Sequence, residues 1–392
     1  MLSKSLLDIW SLASFRTLPF VAYALASRST SFRVKVACSI GLAAVLLIDS
    51  PLAQPARHLG VVGGLTLAYF CAIACAVHAL AQANVVERFG GFALFSLLWA
   101  TCILGPRLVA NGDSASMSLL IGWEVLLGGY SYCVERRPTN TPSRLGDAVF
   151  FLLVNPCLAY PEAGFVDPES GRARKGWARC ALGIGVWMAQ DALGFAIRRS
   201  GLDVSKLSIG SAGYLRYLAA GALATTWYYL SHSGLASLRI GMMGALGYRV
   251  PESYRFALFA RSPRDFWRRW NVWTTSWVRR YIFFPVGIRL RHWLSPVSAV
   301  LITFLSVGLL HDSTRIPLTF ISRPAAWPIK GTLIFAAFAS LLLMWEGLRR
   351  GLRRYVPGRL HDDPRARCAA AAAGALILLH AHIFIYAASL HW

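Results

Sequence analysis

Long runs of apolar residues dominate the chain, and short polar segments rich in arginine separate them. A run of about 20 apolar residues is long enough to cross a bilayer as a helix. We therefore predict an all-α fold, a polytopic transmembrane bundle of about nine to eleven spans. The predicted helical runs are 5–27, 36–52, 60–83, 91–109, 116–133, 177–196, 213–229, 233–246, 297–311, 329–344 and 369–390.

A further apolar run, 148–160, is too short to cross a bilayer comfortably and is broken by Asn155 and Pro156. Proline removes a backbone donor and kinks a helix, so a broken segment at this depth is expected inside protein or beside a cavity. An ordinary kinked helix is the alternative interpretation.

The composition agrees with a membrane protein. Hydrophobic residues make up 56% of the 392 residues and charged residues 15%, whereas soluble chains usually have about 25% charged residues. A net charge of +22 in a soluble protein would indicate nucleic acid binding. Here the arginines lie between apolar runs, where they set topology and attract anionic lipids or a phosphorylated substrate.

Cysteine usage argues against two kinds of site. The eight cysteines are scattered singly along the chain and form no CxxC pair. Neither a zinc site nor a disulfide framework is therefore expected.

Two strongly basic segments predict the orientation in the membrane. Residues 249–291 contain ten arginines and two acids, and residues 349–367 contain seven arginines. The runs 297–311 and 329–344 lie between them, so both basic loops are predicted to face the cytoplasm. The predicted location is a bacterial inner membrane or the endoplasmic reticulum. Charged residues inside the run 5–27 favour a retained first helix over a cleaved signal peptide.

The segment 262–285 reads SPRDFWRRWNVWTTSWVRRYIFFP. On one helix its tryptophans fall on one side and its arginines on the other. This pattern predicts an interfacial or re-entrant amphipathic helix whose aromatic face enters the headgroup region. Asn271 lies at the edge of the aromatic side, where a lone amide is unusual. An anchor helix that merely tolerates this amide is the alternative.

The run DFWRRWN at 265–271 resembles the membrane-bound O-acyltransferase family. It looks most like the branch of wax synthases and of sterol and diacylglycerol acyltransferases, in which an aromatic and basic run ends in asparagine. The polysaccharide-acetylating branch usually has histidine at the place of Asn271. A second resemblance is the uncharged run 293–310 followed by His311, because family members carry a catalytic histidine at this place.

The resemblance implies a set of functional residues. His311 would be the general base and Asn271 an orienting or oxyanion donor. In the run 148–160, Pro156 and Tyr160 would line an internal reaction chamber. The family often has Glu and an aromatic residue where this chain has Asp312 and Ser313, which leaves the acceptor open. The predicted substrate-binding residues are Arg264, Trp267, Arg268, Arg269, Trp270, Pro156 and Tyr160.

The resemblance also implies the reaction. An acyl group would move from acyl-CoA, a co-substrate, to a hydroxyl of a lipid alcohol or other metabolite, without a cofactor or metal. A neutral imidazole suits removal of the hydroxyl proton near pH 7, and the thiol leaves readily. The predicted organisation is one membrane domain, 1–392, with N-terminal helices in 1–135 and a catalytic core in 148–392. A chamber, helix tilt or re-entrant insertion must bring His311 and Asn271 together, because they are predicted to arrive from opposite leaflets.

Two other classes of function stay open. A transporter or flippase would use acids in or beside apolar runs to relay protons or bind cations. A non-catalytic scaffold would use the basic aromatic segment only as an anchor. The candidate relay acids are Asp49, Glu124, Asp191 and Glu346.

Overall fold

The protein is mostly helical in the residues that its structure describes. The computed structural model describes residues 59–105, 113–135, 145–153, 172–202, 213–245, 248–289, 296–313 and 329–355, together with single residues and short stretches at 158, 207 and between 364 and 380. These residues contain no strand, which confirms the predicted all-α class. The predicted runs 5–27 and 36–52 lie outside the described residues.

Twelve α-helices are labelled in chain order. They are α1 Leu59–Gln82, α2 Val85–Phe89, α3 Gly91–Trp99, α4 Asp113–Glu135, α5 Leu145–Leu153, α6 Arg172–Ser200, α7 Tyr214–Ala245, α8 Pro263–Arg269, α9 Val272–Val278, α10 Phe284–Arg289, α11 Pro296–Ser313 and α12 Lys330–Tyr355. A π-helical segment, Ala100–Leu104, follows α3, and another, Arg279–Phe283, joins α9 to α10.

Three stretches of the described residues are long and apolar enough to cross a membrane: Lys175–Ser200 in α6, Pro296–Ser313 and Lys330–Gly351 in α12. The predicted runs 177–196 and 297–311 fall within the first two stretches, and the run 329–344 begins just before Lys330 and overlaps the third. The basic segments 249–291 and 349–367 are partly helical, and a helix was predicted within the first of them, at 262–285. The first contains α8 to α10 and the second begins inside α12.

The runs 213–229 and 233–246 were predicted as two spans, and this is wrong, because α7 continues through both. Gly234 does not end the helix. A Cβ on it would lie 2.7 Å from Trp187 Cδ1, so the glycine makes room for this ring. The Trp187 indole also donates a hydrogen bond to the Ser231 carbonyl at 3.1 Å. Close packing of α6 therefore supports the middle of α7.

The chain divides into two compact units, Met1–Leu182 with Ser237–Pro251 and Gly183–Ala236 with Glu252–Trp392. In the first unit, α1, α4 and α5 pack together. Large side chains fill this core, and they include Phe70, Leu126, Leu127, Tyr132 and Phe151. The predicted single domain with parts 1–135 and 148–392 stays a prediction.

Two polar groups in the first unit find partners inside the protein. Glu124 forms a two-pronged ion pair with Arg239, in which Nη2 lies 2.8 Å from Oε2. This pairing lowers the cost of an acid within an apolar run. The Ser131 hydroxyl donates to the carbonyl of buried Leu158 at 2.7 Å. Pro156 and Tyr160, on either side of Leu158, lie outside the described residues.

In the second unit, α11 and α12 cross at two glycines. A Cβ on Gly308 would lie 2.6 Å from Thr332 Cα, so only glycine allows this backbone approach. Buried Asp312 caps α12 by accepting hydrogen bonds from the N–H groups of Gly331 at 2.6 Å and Thr332 at 2.7 Å. The Thr332 hydroxyl donates to the same carboxylate at 2.6 Å. The end of α11 is therefore held against the start of α12.

We expect Asp312→Ala to destabilise the protein by about 2 kcal/mol or more, because it removes a helix cap and leaves buried N–H groups unpaired. Thermal unfolding in detergent, followed by tryptophan fluorescence, measures the effect as a lower melting temperature. Ser340→Ala is the control. Among the described residues, Ser340 bonds only to the Ala336 carbonyl within α12, and its replacement should change stability by no more than about 0.5 kcal/mol. Equal melting temperatures for the two variants would contradict the capping role.

Candidate active site

The aromatic and basic segment 262–285 was predicted as one continuous helix, and this is wrong. Helix α8 ends at Arg269, and α9 begins at Val272, after a break at Trp270 and Asn271. The start of α8 carries its own signals, because the Ser262 hydroxyl accepts a hydrogen bond from the Asp265 N–H and Pro263 occupies the first turn.

Asn271 causes the break. Its backbone is left-handed, with φ 40° and ψ 61°, a conformation that asparagine tolerates better than most residues. Its side-chain oxygen accepts a hydrogen bond from the Thr274 N–H at 3.3 Å and so caps α9. The amide nitrogen is then the part of this side chain that can donate to a substrate. An asparagine followed by a new helical run is a cap signal, which the helical periodicity of the segment concealed.

Backbone hydrogen bonds hold the break in place. The Val272 N–H donates to the Ser253 carbonyl at 2.8 Å, and the Arg255 N–H donates to the Arg269 carbonyl at 2.9 Å. Ser253 is fully buried. Because bonds flank Asn271 on both sides, its amide has a defined position.

The tryptophans of α8 and the break pack against protein helices. Trp267 meets α11 and α12 through Phe304, at 5.2 Å between ring centroids, and Phe338, at 5.3 Å. Trp270 stacks on Tyr228 of α7 at 5.9 Å and meets Tyr254 edge-on at 5.2 Å. The aromatic side chains near Asn271 therefore pack against other aromatic residues of the second unit.

His311 lies in the last turn of α11 and is exposed. Its Nδ1 is 2.9 Å from the Val307 carbonyl oxygen. A carbonyl only accepts hydrogen bonds, so Nδ1 carries the proton of the neutral ring and the lone pair is on Nε2. Nε2 can therefore accept a proton, as a general base must.

Phe335 of α12 contacts both halves of the candidate site. Its ring centroid lies 4.8 Å from that of His311 and 6.1 Å from that of Trp267. The structure thus brings His311 and α8, the helix that ends just before Asn271, to one phenyl ring.

The three arginines predicted to bind substrate differ in their surroundings. Arg264 Nε lies 3.0 Å from Glu346 Oε1, and Arg269 Nε donates to Asp265 at 2.9 Å. Arg268 is exposed and forms no ion pair with the described residues. Of the three, Arg268 is the one whose charge is available to a phosphorylated ligand.

Asp265 has a lowered pKa. Burial tends to raise the pKa of this carboxyl, but hydrogen bonds from Arg269 and from the Arg261 backbone, with the charges of Arg269 and Arg268, outweigh burial. Its pKa therefore lies below the usual value of 3.8. The ionised carboxylate ties the start of α8 to its end.

We expect Asp265→Asn to lose a pH-dependent part of the stability. Since the folded-state pKa is lowered, the ionised form stabilises the fold above the usual pKa, and this contribution disappears as the pH falls through the lowered value. Asp265 is partly exposed, so the effect is at most about 1 kcal/mol. Melting temperatures of both proteins should differ at pH 7 and converge as the pH falls below the lowered pKa of Asp265. A constant difference across this range would contradict the pairing.

The sequence-based prediction missed His232 and Tyr254. His232 Nδ1 lies 2.9 Å from the Tyr228 carbonyl, and its ring is 6.3 Å from Trp270. Burial, followed by the proximity of Tyr228 and Tyr229, raises the pKa of Tyr254, so its phenol stays protonated. Neither residue carries a local motif. Within the described residues, no group of three side chains is placed to hold a metal ion.

Comparison with known proteins connects this site to one family. Residues 177–326 match MBOAT, the membrane-bound O-acyltransferase family. The "Probable alginate O-acetylase AlgI" of Pseudomonas fluorescens is 32% identical over 94 residues, covering 24% of this chain and 19% of that protein. The "Diacylglycerol O-acyltransferase 1-1" of Oryza sativa subsp. japonica is 26% identical over 240 residues, covering 56% and 40%. The "Teichoic acid D-alanyltransferase" of Bacillus subtilis (strain 168) is 23% identical over 92 residues, covering 22% and 23%.

These relatives carry names from both a polysaccharide and a lipid branch, so the wax synthase-like branch predicted from Asn271 stays a prediction. The chain spans only 19% of the length of the alginate O-acetylase it matches. The matched segment 177–326 nevertheless contains both His311 and the run 265–271 that resembles the family. Over residues 177–326, the chain is therefore similar to the membrane-bound O-acyltransferase family.

Proposed function

We propose that this protein transfers an acyl group from acyl-CoA to the hydroxyl of an alcohol, and that the acceptor is a lipid-like alcohol, as in a wax ester synthase. The observation that carries the proposal is the hydrogen bond from His311 to the Val307 carbonyl, because it leaves Nε2 as the basic atom. The contacts of Phe335 with His311 and Trp267 add support.

In the proposed reaction, Nε2 of His311 takes the proton of the acceptor hydroxyl as its oxygen attacks the thioester carbonyl. The tetrahedral intermediate carries an oxyanion. Its collapse breaks the C–S bond, and the leaving thiolate takes the proton back from the imidazolium. The products are an ester and coenzyme A, and no cofactor or metal is needed.

The proposed role of Asn271 is to donate a hydrogen bond from its amide nitrogen to the thioester carbonyl or the oxyanion. Its oxygen is engaged by the Thr274 N–H, which directs the nitrogen away from the cap. Backbone bonds on both sides keep the donor in place, and a preorganised donor costs little reorganisation during the reaction.

A substrate panel tests the proposal. The purified full-length protein is mixed with acyl-CoAs of different chain length and with fatty alcohols, diacylglycerol, a sterol and an oligosaccharide. Thiol release and mass spectrometry of the products are followed together. We expect alcohol-dependent thiol release and the matching ester. Release that no acceptor accelerates would contradict transfer, and a product formed only with the oligosaccharide would move the acceptor to the polysaccharide class.

We expect Arg268→Ala to raise the KM for acyl-CoA about fivefold and leave kcat nearly unchanged, because an exposed cation contributes about 1 kcal/mol to phosphate binding. Arg279→Ala is the control. Arg279 is another exposed arginine of the basic segment, with its guanidinium 6.0 Å from the centroid of the Phe284 ring. An unchanged KM for acyl-CoA in the Arg268 variant would remove its assignment to the donor.

Transport is the less favoured function. Of the four candidate relay acids, Glu124 is paired with Arg239 and Glu346 with Arg264. A carboxylate that is already bound to an arginine is not free to bind a transported cation. Asp49 lies outside the described residues, and Asp191 lies on α6.

The proposed location is an integral membrane protein with both basic segments, 249–291 and 349–367, on the cytoplasmic side. Acyl-CoA is a cytosolic compound, so this orientation would place Arg268 on the side from which the donor arrives.

A further inference from the structure

The first compact unit contains an open cleft of about 460 Å³ between the start of α6 and the end of α7. Its size falls in the range of small-ligand sites. Lys175 and Arg179 reach it from α6, and Tyr248 and Arg249 reach it from the segment after α7. His311 and Asn271 belong to the other unit.

Glycines let α6 and α7 approach each other closely beside this cleft. A Cβ on Gly176 would lie 2.2 Å from the Ala245 nitrogen, and one on Gly241 would lie 2.6 Å from the Cys180 nitrogen. The two helices therefore touch backbone to backbone, and a larger residue at either glycine would push them apart. The turn after α7 is tied back, because the Tyr248 N–H donates to the Met243 carbonyl at 2.9 Å. The closely packed backbone of α6 and α7 therefore holds the cationic side chains in place.

The charges at the cleft all have the same sign. Three of the lining residues, Lys175, Arg179 and Arg249, are basic, and none of the described lining residues is acidic. Lys175 and Arg249 are exposed and form no ion pair with the part of the chain that the structure describes. Like charges gathered at one cleft repel each other, and an anion removes this repulsion.

The position of the cleft indicates the kind of anion. Lys175 begins the apolar stretch Lys175–Ser200, which is long enough to cross a membrane. The end of such a stretch lies at the boundary between bilayer and water, where phosphate is the common anionic group. Arginine forks and a lysine ammonium match phosphate oxygens, and the phenol of Tyr248 adds a neutral donor.

We propose that the cleft lined by Lys175, Arg179, Tyr248 and Arg249 binds a phosphate group, presented by an anionic phospholipid headgroup or by a soluble phosphate ester. The residues that line the cleft are not among those proposed for acyl transfer, and the test measures binding and does not depend on activity.

The experiment uses the full-length protein in a phosphate-free neutral detergent. Binding of a fluorescent short-chain phosphatidylglycerol is measured, with a galactolipid of equal chain length as the uncharged comparison. Lys175→Ala/Arg249→Ala should weaken phosphatidylglycerol binding about 25-fold, since each cation near the surface contributes about fivefold. Arg198→Ala/Arg199→Ala removes two charges from the other end of α6 and should bind as the wild type does.

Competition identifies the source of the phosphate. Displacement of the probe by unlabelled phosphatidylglycerol but not by inorganic phosphate or coenzyme A assigns the cleft to a lipid headgroup. Displacement by coenzyme A or inorganic phosphate at lower concentration assigns it to a soluble phosphate ester.

A double variant that conserves both charges is the control for misfolding. Lys175→Arg/Arg249→Lys keeps both charges and should retain binding, with the wild-type melting temperature. Equal binding of the galactolipid and the phospholipid, or equal loss in the α6 control, would overturn the proposal.

Discussion

Replacement of His311 by alanine is expected to reduce acyl transfer about 10²- to 10⁴-fold, which is the usual contribution of a general base. The structure gives the reason: Nδ1 is bonded to the Val307 carbonyl at 2.9 Å, so Nε2 holds the lone pair. Without an imidazole at this place, nothing in the proposed mechanism removes the hydroxyl proton. Ester formation measured by mass spectrometry should fall toward background.

A matched histidine variant and a stability measurement accompany this result. His78→Ala removes another helical histidine, which lies in the first unit with Nδ1 3.2 Å from the Tyr132 hydroxyl. Its transfer rate should stay close to wild type. His311 is exposed, so its replacement should leave the melting temperature nearly unchanged. Unimpaired turnover of the His311 variant would remove the residue from the proposed mechanism.

Asn271→Ala is expected to cost about 10²- to 10³-fold in kcat, the scale observed when an oxyanion donor is lost. Alanine also removes the cap of α9 and is disfavoured at φ 40°. The variant alone therefore mixes a chemical effect with a structural one. Two further replacements separate them.

Asn271→Asp keeps an oxygen that can cap the Thr274 N–H but has no amide donor. Asn271→Gly keeps the left-handed backbone without strain and has no side chain. If Asn271 donates to the reacting carbonyl, both variants should fold and both should lose activity. Nearly full activity in the aspartate variant would show that Asn271 acts only as a cap, and would contradict the donor role.

Part of the candidate site could be proposed from the sequence because its residues lie in recognisable local motifs. The run 265–271 and His311 stand out in the sequence, and the structure links α8 and His311 through Phe335. Phe335 itself lies in an ordinary apolar run, so no local pattern marks it. The same holds for Asp312, whose role as a cap depends on Gly331 and Thr332, about 20 residues further along.

The sequence by itself determined the helical class, the apolar stretches of α6, α11 and α12, and the motif that resembles the family. These properties depend on composition and on neighbours a few residues apart, which the sequence displays directly. Only the tertiary structure decided where α8 ends, that α7 is continuous, and that Trp267 and Trp270 pack on protein helices. Each of those depends on contacts with residues distant in the sequence, such as Ser253 for the break and Trp187 for α7. The helical periodicity of a segment does not indicate such contacts.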